Sequence, residues 1–443
     1  MGMSAHPRTV PVAADVLGGF DLTDLDNFAH GFPHDVFAVH RRAAPVLWHG
    51  PTACTPDGDG FWSVATLAET LEVVHDAATF SSERGGDRAY GGTIIPDQPI
   101  AGAVLNMMDD PRHQRIRRLV SHGLTPKTVA DLEIELRLRM HAILDDVDDV
   151  EGAAGGGAAA DVVDIVVIAG ELPLQAISML MGVPEDDRHR VGAWLDHAFD
   201  FKARDYLEAT AEIAAANAEM FAYGTQLVAE KRAHPGDDML SVVVHASLPD
   251  EDPPQLTDEE LHLFFSLLYS AGAETTRSAM SGGLLALASR PDQWRALRDD
   301  ALTEDRALVT TAIEEIVRWT SPAAYNRRTA TCDTELGGLP MRAGDKVVFW
   351  EASANRDERV FPDSMTFDVR RDPNPHVGFG HGIHHCLGAS LARMELRVML
   401  DAMLERYDAL ELAGEPEWTR SNKHTGLRHV PVLLHRAAIR SNA

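Results

Sequence analysis

The chain is short of cysteine: Cys54, Cys332 and Cys386 stand far apart among 443 residues and form no C-x-x-C pair. That excludes a disulfide framework and a thiol-rich zinc site, and it points to a reducing, cytoplasmic setting. Long hydrophobic runs are missing as well. No stretch approaches the ~18 apolar residues of a membrane span, and the opening M-G-M-S-A-H-P-R-T-V-P-V contains no apolar signal core. A soluble protein without a membrane anchor is the expectation. Positive charge is scarce: 40 Lys and Arg against 68 Asp and Glu leave a formal charge of −28. Such a balance argues against nucleic acid or an anionic membrane surface as partner. What the chain does have is 45% hydrophobic and 24% charged residues, the make-up of an ordinary globule able to bury a large core.

One stretch organises the rest: F-G-H-G-I-H-H-C-L-G, Phe379–Gly388, followed by A-S-L-A-R-M-E-L. Gly380, Gly382 and Gly388 predict a tight loop, and the Ala/Leu-rich segment predicts a helix beginning after Gly388. Cys386 would then sit at a helix N-terminus, where amide N–H groups and the helix dipole favour a thiolate. The competing reading, a small buried hydrophobe, suits most lone cysteines. A single thiolate with no zinc-type partner nearby, and with room left on the metal, suits haem iron. The stretch resembles the haem-binding loop of the cytochromes P-450 through Phe379, Gly382, His384, Cys386 and Gly388.

Four further segments follow that family's order. M-M-D-D-P-R-H-Q-R-I-R-R-L-V predicts a helix with His113 and Arg117 on one face. The longest helical pattern starts at Thr257, which with Glu260 forms a capping box, and it is apolar nearly all round. Inside it, Ala271-Gly272-Ala273-Glu274-Thr275-Thr276 puts a glycine, an acid and two hydroxyls into a buried span. I-E-E-I-V-R-W carries Glu315 and Arg318 on one helix face, and N-R-D follows at Asn355–Asp357. Taken singly, each has a plain alternative: a solvated basic face, a chance ion pair at Glu274, a surface Glu-Arg pair. Together with the cysteine loop they match H-x-x-x-R, A-G-x-E-T, E-x-x-R, N-R-D and F-x-x-G-x-H-x-C-x-G over nearly the whole chain.

The resemblance implies a mainly α fold with small β-sheets. Haem b (iron protoporphyrin IX) would lie buried between the long oxygen-binding helix and the Cys-ligand loop. Residues 21–443 would form one domain behind a loose lead-in, 1–20, with the low-complexity stretch around 150–161 as an internal connector. The resemblance makes Cys386 the iron ligand, and it makes His113, Arg117, Arg328 and His384 the partners of the haem propionates, with Arg327 the neighbouring candidate. Ala271 and Gly272 would let the helix approach the haem and bulge there. Phe379, Gly380 and Gly388 would contact the cofactor from the loop. Glu274 and Thr275 would deliver protons to dioxygen, and Glu315 and Arg318 would be structural. The Gly- and Pro-rich residues 81–105 would cover the distal pocket, with Tyr90, Ile94 and Ile95, and Ala273 from the helix, toward substrate. Phe199, Phe201 and Tyr206 are further candidates.

The implied reaction is monooxygenation of a lipophilic small molecule: a sterol, terpenoid, fatty chain or secondary-metabolite intermediate. An acyl or aminoacyl group on a carrier protein is the alternative substrate. No flavin or iron–sulfur motif is present, so electrons would come from NAD(P)H through a ferredoxin reductase and a ferredoxin. Arg112, Arg115 and Arg118 would offer the latter a basic docking patch. A monomer is expected. The rivals are a peroxide-driven peroxygenase and, outside the enzymes, a haem-based gas sensor or carrier, which predicts no NAD(P)H-coupled product.

Overall fold

The computed structural model describes residues 10–55, 57–153, 162–198, 211–248, 251, 254–303 and 306–437. Phe199, Phe201, Tyr206 and most of the low-complexity connector lie outside the described residues. In chain order come α1 (Ala13–Val16), α2 (His34–Ala43), β1 (Val46–His49), β2 (Phe61–Val64), α3 (Leu67–His75) and β3 (Phe80–Ser81). A helical block follows: α4 (Arg112–Ser121), α5 (Pro126–Ala153), the short β4 (Val162–Asp164), α6 (Ile165–Met181), α7 (Arg188–Ala198), α8 (Ala211–Ala233) and α9 (Met239–Val244). Next are α10 (Asp258–Ala288), α11 (Pro291–Ala301), α12 (Ala307–Thr320), β5 (Asn326–Ala330), β6 (Thr334–Leu336), β7 (Leu339–Met341), β8 (Lys346–Phe349) and α13 (Glu351–Ala354). The chain closes with α14 (Ala389–Arg406), β9 (Tyr407–Leu412), β10 (Glu417–Trp418), β11 (Leu427–His429) and β12 (Pro431–Arg436).

The N-terminal strands join partners from the far half of the chain. The sheet runs β1-β2-β8-β5-β3, with β2 parallel to β8 in the register Trp62↔Val347 and β5 antiparallel to β8 in the register Arg328↔Val347. β1 and β2 pair directly, and α3 leads on to the edge strand β3. Every residue of Phe61–Val64 is buried, as a strand with neighbours on both edges requires. Residues 10–20 are packed, not loose. The Trp48 amide donates to the Pro11 carbonyl at 2.9 Å, and Ala13 and Leu17 are buried with Phe28, Phe37 and Trp350. Apolar side chains at 13 and 17 have a face to cover, which outweighs the absence of clear periodicity.

The helical core is built around α10. Its start is fixed by the capping box, with the Thr257 hydroxyl accepting from the Glu260 amide and the Glu260 carboxylate accepting from the Thr257 amide. It packs against α6, α8, α12 and α14. Close approach to α6 depends on Gly272, where an added Cβ would stand 2.9 Å from Ile177 Cδ1. The predicted bulge at Ala271–Gly272 is not there: α10 is regular through this stretch, and the Thr275 hydroxyl donates to the Ala271 carbonyl at 2.6 Å. The glycine is spent on helix packing. Among the described residues no helix is long and apolar enough to cross a membrane.

Candidate active site

The loop carrying Cys386 is held from several directions. Gly380 and Gly382 adopt φ of 66° and 69°, and a Cβ at Gly382 would stand 2.4 Å from the Val74 carbonyl oxygen, so the turn needs glycine there. Gly388 is different: its φ is −86°, and a Cβ would meet no protein atom within 4 Å. The Cys386 amide closes the turn by donating to the Phe379 carbonyl at 2.8 Å. On one flank the Val377 amide donates to Asn355 Oδ1 at 2.8 Å, which ties the loop to N-R-D. On the other, Arg393 of α14 lies over the Phe379 ring at 4.3 Å and pairs with Glu314 of α12 at 2.6 Å. His376 joins the same carboxylate at 3.1 Å. Glu315 and Arg318 form a fully buried pair at 2.7 Å, and Arg318 also donates to the carbonyls of Asn355, Ser364 and Thr366.

Cys386, Gly388 and Phe379 wall one side of a cavity of about 350 Å³; Ala271, Gly272, Thr275 and Thr276 of α10 wall another. Cys386 is exposed, but the space it meets is this cavity, and enough protein surrounds it that burial pushes its thiol above the ordinary value. Burial outweighs the Gly388 amide and the charges of Arg117 and Arg393. The Gly388 amide pulls in the direction the helix N-terminus predicts but is outweighed; a metal's charge would add to that pull and favour the thiolate.

Basic side chains crowd one rim. His113 is buried with Nδ1 3.4 Å from Asp110 Oδ1, and its ring lies 4.4 Å from that of His384. His384 Nε2 meets the Ser82 hydroxyl at 3.0 Å, Arg117 donates to the His385 carbonyl at 2.6 Å, and Arg328 donates to the Arg327 carbonyl at 2.7 Å. Burial, then the charges of Arg328, His113 and Arg117, drive His384 down to about 2, and burial lowers Arg328 to about 10. Arg117, Arg328 and His384 form no ion pair with a carboxylate among the described residues, so this rim fits a ligand that brings carboxylates of its own. Together with one open thiol and the space beside Gly388, that is the donor set of haem. Strand alternation separates the two arginines: Arg327 points to the loop, donating to the carbonyls of Ile94, Ile95 and Pro96 and to Asp97.

Several expected residues lie elsewhere. Tyr90, Ile94, Ile95 and Ala273 are not part of the cavity wall. Tyr90 is exposed, and Ile95 is fully buried in a different cluster with Tyr325 and Trp350. Thr93, Leu105, Asn106, Ile177, Leu180 and Met239 line it instead, as do Asn326 and Glu351. Glu274 also stands outside the wall, in an ion pair with Arg277, which bonds Asp196 of α7 at 2.6 Å. Burial raises the Glu274 carboxyl above its usual value, with Arg277 pulling against it and Asp196 adding to it. The proposed basic patch is largely neutralised. Arg112 pairs with Glu251 and Glu260, and Arg115 with Glu251, which leaves Arg118 exposed with only Gln114 as partner among the described residues.

A thiol opening on a mostly apolar chamber, beside Arg117, Arg328 and His384 that pair with no carboxylate among the described residues, fits a haem-thiolate oxygenase. The cytochrome P450 family model matches residues 202–435. Cytochrome P450 126 of Mycobacterium tuberculosis is 55% identical over 419 residues, covering 94% of this chain and 98% of that protein. The steroid C26-monooxygenase of the same organism is 36% identical over 428 residues, covering 95% and 94%. Among solved structures, the Mycobacterium marinum cytochrome P450 CYP268A2 in complex with pseudoionone superposes with a TM-score of 0.80 at 33% identity, covering 98% of this chain and all of that one. The chain belongs to the cytochrome P450 family, and as such it is a monooxygenase that uses protoporphyrin IX haem.

Proposed function

We propose that this chain oxidises a lipophilic small molecule held in the cavity, with Cys386 as the iron's thiolate ligand. The observation that carries the reading is the wall itself. Leu105, Ile177, Leu180, Leu267, Leu268 and Phe349 give the chamber an apolar lining around a few polar groups, which suits a ligand that leaves water for hydrocarbon contacts. A steroid-oxidising relative and a pseudoionone-bound neighbour support a lipophile as the substrate class.

When bound, haem supplies the redox-active iron at which dioxygen is activated. The chain supplies the rest. His113, Arg117, Arg328 and His384 hold the propionate carboxylates. Thr275 keeps a proton at Oγ1, given in this structure to the Ala271 carbonyl, and a change in its χ1 aims that proton at the cavity. Glu274, tied through Arg277 to the exposed Asp196, passes protons inward from solvent. The pair Glu315 and Arg318 and the clamp at Glu314 hold the cysteine loop in place. Electrons arrive from a ferredoxin in the cytoplasm, which meets the protein near the exposed Arg118.

The test is spectroscopic. The reduced, carbon-monoxide-treated protein should absorb at the red-shifted thiolate position, and lipophiles that displace water from the iron should shift the Soret band to the blue. Absorption at the position of an imidazole-bound haem, or an unchanged spectrum in Cys386→Ala, would overturn the reading.

A further inference from the structure

One amide in the cavity wall has no role in the fold. Asn106 is the middle residue of the 3-10 turn Leu105–Met107, flanked by the buried apolar side chains of Val104, Leu105, Met107 and Met108. It lines the cavity, its Oδ1 is buried with no hydrogen-bond partner, and its Nδ2 makes no hydrogen bond among the described residues. The residue is half-buried, and native folds seldom leave the buried oxygen of an amide in this condition unless something else uses the group.

The comparison with Asn326, the other asparagine of the wall, is direct. That amide is fully engaged, donating to Glu351 at 2.9 Å and accepting from Lys423 at 3.0 Å. Two further wall residues carry an unpartnered polar atom, His113 and Glu395. His113 has the Asp110 carboxylate 3.4 Å away and belongs to the basic rim, while Glu395 stands on the helix that follows Cys386. Asn106 belongs to neither set. It ends the loop that runs from Ser81, with apolar neighbours on both sides.

The chemistry of the missing partner follows from the amide. Its oxygen and nitrogen exchange places on a half-turn, so the group can donate to a carbonyl or hydroxyl oxygen, or accept from a hydroxyl. A cationic ligand is disfavoured because a neutral amide in an otherwise apolar stretch of wall offers it no counter-charge. A neutral oxygen function on an otherwise apolar molecule satisfies the amide and the lining at once.

We propose that Asn106 hydrogen-bonds a hydroxyl or carbonyl oxygen of the substrate and so selects oxygenated lipophiles over hydrocarbons of equal length. This rests on the lipophile-oxidising reading above. Asn106 is a specificity residue here, and it takes no part in handling protons or electrons.

The test uses the full-length holoenzyme and matched ligands: decan-2-one, decan-2-ol and decane, titrated by the Soret blue shift. Asn106→Leu keeps the side-chain size and removes both hydrogen-bonding atoms. Wild type should bind the oxygenated pair roughly 10-fold tighter than the alkane, the size expected for one paired polar group. In Asn106→Leu the preference should be lost or reversed in favour of decane, because a buried oxygen without a partner is costly, with decane binding unchanged within roughly twofold, because the alkane never used the amide. The variant's melting temperature should be equal or higher, since the group removed had no partner. Asn106→Ala reads the same ratio should the leucine variant fail to hold haem. Equal preference in wild type and variants, or no response to any of the three ligands, overturns the proposal while the thiolate carbon-monoxide spectrum persists. Loss of that spectrum in wild type overturns the underlying reading instead.

Discussion

Removing the positive charge beside Glu274 tests the proton path most directly. Glu274 is 12% exposed and its carboxyl is raised by burial, a shift that Arg277 opposes and Asp196 reinforces. Arg277→Met keeps the stem and deletes the charge. Loss of an opposite charge in contact moves a titration by about 1–3 pH units, or about 1.4–4 kcal/mol. The limb of the turnover–pH profile that reports Glu274 should therefore move upward by that order. Asp196→Asn should move the same limb downward, and by less, because Asp196 is 62% exposed and screened. The opposite signs separate a proton relay from general damage. Stability gives a second reading. A carboxyl with a raised folded pKa contributes stability that is complete below its ordinary value of 4.5 and is lost as pH rises through the folded value. The deficit of Arg277→Met should thus grow with pH. It should stay near 1–3 kcal/mol, below the 3–5 of a fully buried pair, because Arg277 keeps 25% of its side chain in solvent. The assays are product formation and peroxide release against pH with a saturating redox partner, alongside urea unfolding. Limbs that stay fixed, or that move the same way in both variants, would refute the role given to Glu274.

Two further expectations follow from the charges around the loop and α4. Burial raises the Glu314 carboxyl, but bonds from Arg393 and His376 win and bring it to about 2. The stability it contributes is present above 4.5 and lost as pH falls through about 2, so the Soret band should bleach in that window, and Glu314→Gln should flatten the transition. On α4, Arg118→Glu should slow reduction by a ferredoxin with a strong salt dependence, whereas Arg115→Glu, set against Glu251, should chiefly lower the melting temperature. Stopped-flow reduction at two ionic strengths distinguishes them.

The parts of the site legible in the sequence are those in which one short segment carries both the chemistry and the geometry. Cys386 with its glycines, Thr275 in the buried helix, and the Glu315–Arg318 spacing are of this kind. Arg328 could be preferred over Arg327 only through strand alternation, and the two do point opposite ways, one to the cavity and one to the loop carbonyls. Illegible were facts set by partners distant in the chain. Arg112 and Arg115 read as free charges because Glu251 and Glu260 lie well over a hundred positions away. Ile95 is as apolar as a pocket residue should be, but apolarity does not say which of two cores a side chain joins. The helix dipole at Cys386 pointed one way and burial the other, and only packing decides between them. Asn106 stood one position before the motif that announces α4 and carried no signal until its lack of a partner could be seen.

The wall of the cavity is drawn from positions as far apart as Val74 and Leu396, and the bridge between Ala323 and His424 fastens the turn beside it later still. A chain leaving the ribosome from its N-terminus must therefore extend past Leu396, and past His424 for the bridge, before this chamber can be enclosed. Pigment must be acquired after that point, and until then the cavity-lining side chains of α6 and α10 lack the opposite wall that Cys386 and its loop supply.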